Sequence, residues 1–199
     1  MANATALFGF RHVGDLSGGS PTYQLVSRQI QSTNSTKIGR GDPVLKDTSN
    51  KGYIVQATGA LATTTPIEGI FDSCEFIPSA GNTVQYGNSF PGSTNADAKG
   101  YLINSPFAMF LVGTLQTAIV STNIGNLVNF TTGVPSATGY SPALIDQATA
   151  TATGTTASLL PFKIVGLYTG AGGGDATSNN NWVFVTFNNQ MFHTLAGGV

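Results

Sequence analysis

The chain has 199 residues, of which 8 are basic and 9 acidic, for a net charge of -1. Charged residues make up 9% of it, against roughly 25% in an ordinary soluble domain. A hydrophobic content of 41% excludes intrinsic disorder, and the charge balance excludes a strongly basic nucleic-acid binder. Threonines alone outnumber the charges, the composition of a shell or fibre protein with a β-rich fold.

In chain order, residues 1–21 read as an N-terminal arm. The apolar cluster Leu7, Phe8 and Phe10 is followed by Gly14, Gly18, Gly19 and Pro21, too punctuated for a helix or a long strand. Residues 22–199 read as one β-rich domain. Short runs rich in Val, Ile, Phe, Tyr and Thr recur between turn residues: Thr22–Ile30, Val44-Leu45, Tyr53-Ile54-Val55, Ile67–Ile77, Tyr101–Val112 and Ile119–Phe130. Leu159–Leu167 and Trp182–Phe187 continue the pattern and are expected to pair with each other or with earlier strands. Ala143–Ala150 is the best position for one short helical turn. Ser79–Lys99, Thr131–Ser141 and Thr169–Asn181 read as loops, the first long enough to suggest function. The tract at 148–158 alternates Ala and Thr and suits an exposed strand. These features give an all-β fold, a barrel or sandwich of short antiparallel strands with long loops.

The N-terminus lacks a cationic region followed by a long apolar one, so no secretory signal is expected. The most apolar stretch, Pro106 to Val120, is broken by Gly113, Thr114, Gln116 and Thr117 and falls short of the ~20 apolar residues of a membrane helix. Cys74 is the single cysteine and is expected to be a buried, inert thiol. His12 and His193 are expected to make ordinary polar contacts. Strand alternation puts Glu68 and Asp72 on one face and Glu75 on the other, which speaks against a paired-carboxylate site. The glycine run Gly170–Gly174 lacks the GK[ST] ending of a phosphate loop and reads as a mobile hairpin loop. The single carboxylate of the following Asp175–Asn181 cluster is too little charge for a calcium site. No nucleophile, base and orienting group stand in a recognisable pattern, so no enzyme, cofactor or metal is expected.

Charge is unevenly placed. Six basic against three acidic residues give +3 over residues 1–51, and two against six give -4 over the rest. The basic quarter, joined to the apolar cluster, nominates Leu7, Phe8, Phe10, Arg11, Arg28 and Arg40 as partner-interface residues; the competing readings are a solvated basic face and two Phe rings that plug the protein's own barrel.

The landmarks, taken in order, resemble a family of small proteins encoded beside the major capsid protein in tailed bacteriophages. They are FGFRHV near the start, GDPV (41–44), IEGIFDSCEFI (67–77), SPALID (141–146), LLPFKIVGL (159–167) and the ending WVFVTFNNQMFHTLAGGV (182–199). The sequence departs from the family in its Ser79–Lys99 stretch and in its sparse charge. The resemblance implies a β-rich capsid decoration or cement protein. Such a protein is made in the bacterial host cytoplasm and sits on the outer surface of the virion capsid, typically as a homotrimer. Its partner is the major capsid protein, and it clamps adjacent capsomers; neither nucleic acid nor membrane is a partner. The alternative is another virion component: a head fibre, a tail protein or a host-glycan-binding module presenting Trp182, Tyr101 or Tyr140.

Overall fold

The computed structural model describes residues 3–5, 7–21, 24–58, 66–115, 117–151 and 160–191. Of the described residues 46% are strand and 2% helix, so the all-β expectation holds. In chain order the strands are β1 (Arg11–Asp15), β2 (Val26–Ile30), β3 (Ile38–Gly39), β4 (Pro43–Lys46), β5 (Ile54–Gln56), β6 (Ile67–Phe76), β7 (Gln85–Gly87) and β8 (Ser89–Phe90). They continue with β9 (Ala98–Ile103), β10 (Ala108–Gly113), β11 (Leu127–Thr131), β12 (Leu144–Thr151), β13 (Phe162–Leu167) and β14 (Trp182–Phe187). One six-stranded sheet runs β1-β10-β14-β13-β11-β12. A second runs β2-β9-β6-β4-β5 with β7 added to β6, and β3 pairs with β8 separately. The ladders are antiparallel. The architecture is a sandwich; neither sheet closes into a barrel.

The apolar pattern of β6 explains the layering. Its first five residues, Ile67 to Phe71, are buried without alternation, while from Asp72 onward burial relaxes towards one face. A strand buried on both faces reads as a continuous apolar run. Ile67 and Ile70 enter the larger core, shared with the six-stranded sheet, whereas Phe71 and Cys74 enter a smaller one with Ile38 and Phe90. On β4, Leu45 points into the first core and Val44 into the second. The second sheet is thus the middle layer between two cores.

The N-terminal segment departs from the expected arm. Arg11–Asp15 is an edge strand on β10, and Phe10 is only 2% exposed. Its ring stacks on Phe162 at 4.3 Å and meets Phe110 and Phe130 edge-on. Phe10 is therefore a core residue and offers no surface to a partner. The chain enters the core at Gly9, whose φ of +62° and whose clearance from Ser141 and Gly41 leave no room for a Cβ. Gly14 lies inside this five-residue strand, at its register shift, and only Gly18 and Gly19 follow it.

Two other readings are corrected. The Ser79–Lys99 stretch is not one open loop, because β7, β8 and the start of β9 lie in it. The stretch Ala143–Ala150 forms no helical turn, because β12 begins at Leu144 and runs through it; its Thr/Ala alternation suits the sheet edge that β12 occupies. Of the expected 131–141 loop, Thr131 ends β11 and residues 132–141 stay outside the named strands. β13 and β14 pair directly, as their patterns suggest. Residues 152–159 and the C-terminal 192–199, with His193, lie outside the described residues.

Phe10→Ala is expected to cost about 3–5 kcal/mol of unfolding free energy in urea titrations. Phe8→Ala, whose half-buried ring meets Trp182 edge-on, is expected to cost about 1 kcal/mol. Equal effects would contradict this assignment of the two rings.

Candidate functional site

A groove of about 440 Å³ opens where the N-terminal segment crosses the chain at Arg40-Gly41 and the middle of β6. Leu7, Phe8, Phe10, Arg11 and Arg40 all line it, so five of the six residues nominated from sequence come together. Leu7 is 61% exposed, and Tyr140 stands exposed on the opposite wall. Phe10 forms only the floor. Arg11 has no ion-pair partner among the described residues. Arg40 is partly engaged: its Nε and Nη2 donate to Oδ1 of Asp72 at 2.9 and 2.7 Å. The groove therefore combines apolar walls with one free and one half-neutralised guanidinium.

Backbone pairing fixes these positions. The Phe10 N–H donates to the Gly41 carbonyl, Gly41 to Phe71, and Phe71 back to the Asp42 carbonyl. On the other side Arg40 donates to Gly139, and Ser141 donates to Arg40. Gly41 has a φ of +92°, and a Cβ there would lie 2.7 Å from the Phe8 carbonyl oxygen. No L-residue fits that crossing without moving the N-terminal segment.

Beneath the crossing lies Asp42, fully buried. Its Oδ2 accepts from the Gly39 N–H at 2.6 Å and from Nε2 of Gln56 at 2.8 Å. Its Oδ1 accepts from the hydroxyls of Ser141 and Thr132. Burial raises its pKa above the ordinary carboxylate value, and the four donors oppose that rise without cancelling it. No sequence motif marks this carboxylate, because its donors come from the β3–β4 corner, β5 and the segment between β11 and β12.

The N-terminal residues are stitched onto the 169–181 loop rather than reaching outward. Nδ2 of Asn3 donates to the carbonyls of Asp175, Ser178 and Asn179, and Ala4 donates to Gly172. The Trp182 indole N–H donates to the Ala4 carbonyl. The glycine run is thereby held by the chain's own contacts, and Asp175 accepts from Thr177 and Ser178, which lower its pKa. Trp182 is covered by Phe8 and Tyr168.

Arg28 does not belong to the groove. Its Nε donates to Oε1 of Glu68, whose side chain is 1% exposed. It neutralises a buried charge inside the second sheet and lines no part of the groove. Glu68, Asp72 and Glu75 each have a separate partner, Arg28, Arg40 and Tyr101 respectively, so no carboxylate pair forms. His12 sits beside the groove with its Nε2 3.0 Å from the Gly14 carbonyl, and burial lowers its pKa. Cys74 is buried, and burial pushes its thiol up to about 12, the inert state expected. Among the described residues no group of three or more His, Cys, Asp or Glu is placed to hold a metal ion, and no helix is long and apolar enough to cross a membrane.

No family model, curated protein or solved structure matches this chain.

Two predictions test the buried charges. Arg28→Ala leaves Glu68 buried without its cation and is expected to cost about 3 kcal/mol in chemical denaturation. A change below a few tenths of a kcal/mol would mark the pair as a surface contact. At Asp42, Asn keeps the volume, and the two hydroxyls can turn to accept from its amide, so Asp42→Asn is expected to cost about 1 kcal/mol. Because the folded pKa of Asp42 is raised, its stabilising contribution is fully present below the unfolded pKa and is lost as pH rises through the folded one. The stability gap between wild type and Asp42→Asn should therefore narrow as pH rises from the ordinary carboxylate range through the raised folded pKa. A gap that widens over that range would contradict the assignment.

Proposed function

We propose that this protein is a structural virion component, a capsid decoration protein that binds the outer surface of the major capsid shell and clamps adjacent capsomers, with no catalytic step. The observation that carries the reading is the groove. It brings exposed Leu7 and Tyr140, half-buried Phe8 and the free Arg11 into one concavity. Aromatic and aliphatic anchors beside an arginine are the chemistry of a protein-binding hot spot. The ordered sequence landmarks and the sparse charge support the same reading.

The docking mode differs from a free arm. Asn3 and Ala4 bind the protein's own loop, so the N-terminal segment acts as a wall of a preformed groove. A preformed groove spares the ordering entropy that a flexible arm loses on binding. In this reading the protein acts as a homotrimer, and three grooves held together raise avidity without new contact chemistry.

The test is cosedimentation with purified shells assembled from the major capsid protein alone. Wild-type protein is expected to bind saturably. Leu7→Asp combined with Arg11→Glu, both at exposed positions, should keep the melting temperature and weaken binding by about tenfold or more. Absence of wild-type binding to such shells would overturn the proposal.

A further inference from the structure

A second surface, on the exposed part of the second sheet where β7, β6, β9 and β2 lie side by side, has a different chemistry. Strand register lines up Tyr86 on β7, Glu75 on β6, Lys99 on β9 and Gln29 on β2, each directly opposite the next. Directly opposed residues of antiparallel strands project on the same side. Burial agrees: Cys74, Gly100 and Ile30 on the same strands are buried, while Tyr86, Lys99 and Gln29 are exposed. At the strand spacing, four such residues make a row about 14 Å long. Tyr86 is 75% exposed, the most open aromatic among the described large hydrophobics. Beside the row lies a hollow of about 200 Å³. Gln29, Glu75, Asp97 and Lys99 edge it, and Phe76 and Val84 supply apolar surface.

The polar groups are held before any ligand arrives. Oδ2 of Asp97 accepts from the Tyr53 hydroxyl at 2.6 Å, and Oδ1 from the Ser32 N–H at 2.9 Å. Oε2 of Glu75 accepts from the Tyr101 hydroxyl at 3.1 Å. Each carboxylate retains lone pairs for a further donor. Gln29 and Lys99 add donors, and Gln29 adds an acceptor. The surface thus offers donors and acceptors in alternation next to an open aromatic face. Two carboxylates against one ammonium leave it weakly negative, which disfavours phosphates, sulfates and acidic peptides.

We infer that this face is a binding site for an uncharged oligosaccharide, with Tyr86 stacking on the apolar face of a sugar ring and Glu75, Asp97, Lys99 and Gln29 hydrogen-bonding its hydroxyls. A ligand with apolar C–H faces and many hydroxyls matches both halves of the site. The inference does not depend on shell binding, since the row shares no residue with the groove.

The experiment titrates the full chain with maltohexaose, cellohexaose, N-acetylchitohexaose and an isomaltose oligomer, by calorimetry and saturation-transfer NMR, with a heparin hexasaccharide and spermine as charged comparators. At least one neutral oligosaccharide is expected to bind. Tyr86→Ala should weaken it about tenfold or more, and Glu75→Gln several-fold. Leu7→Asp, on the groove, should leave it unchanged. Circular dichroism and melting curves establish that the variants are folded, and a ring as exposed as Tyr86 should leave both unaltered. The inference is overturned if none of the four neutral oligosaccharides binds at about 10 mM. It is equally overturned if binding survives Tyr86→Ala and Glu75→Gln undiminished, or if spermine or heparin is the preferred ligand.

Discussion

The buried carboxylate of Asp42 is the interaction on which the arrangement depends. It accepts from Gly39, Gln56, Thr132 and Ser141, so one side chain joins the β3–β4 corner, β5 and the 131–141 segment. Immediately before it, Gly41 exchanges backbone hydrogen bonds with Phe10 and Phe71. A buried charge with incomplete partners costs several kcal/mol. With four donors in place it instead fixes where the surrounding segments must lie, because each would leave an unsatisfied polar group if displaced. The groove follows from this crossing: Arg40 stands on one side of Gly41, and the N-terminal segment is drawn across the other.

The Phe-rich core secures the same crossing from below. Phe10 is anchored among Phe110, Phe130 and Phe162, so the strand that follows it has nowhere else to pair than β10. The few charges are placed economically. Arg28 is bound to Glu68 inside the second sheet and Arg40 to Asp72 at the groove wall, which leaves Arg11 as the groove's free cation. The outer row from Tyr86 to Gln29 is polar for a different reason: its backs are the buried Cys74, Gly100 and Ile30, and strand alternation forces their neighbours outward.

Much of the fold was legible because it rests on local pattern. The β-branched and aromatic runs at 67–77, 159–167 and 182–187 mark strands, and β13 and β14 pair as their neighbouring patterns suggest. Cys74 is inert for the reason its apolar context implies. Leu7, Phe8, Arg11 and Arg40 line one groove, although the path that unites them is non-local. Phe10 was misassigned because its stacking partner Phe162 is far away in sequence, and nothing local distinguishes a core anchor from an exposed one. Asp42 was missed for the same reason, since none of its donors forms a motif with it. Arg28 looked like part of a basic face because its counter-charge, Glu68, is forty residues away.

The crossing at residues 40–42 acts as a single cooperative unit that holds the groove open. Native-state hydrogen exchange tests it most directly. The amides of Phe10, Gly41, Phe71 and Ser141 donate across the crossing, and all four are expected to exchange with one common free energy, close to that of global unfolding. Exchange of the Phe10 amide at the rate of a frayed terminus, while Phe71 stays protected, would contradict it.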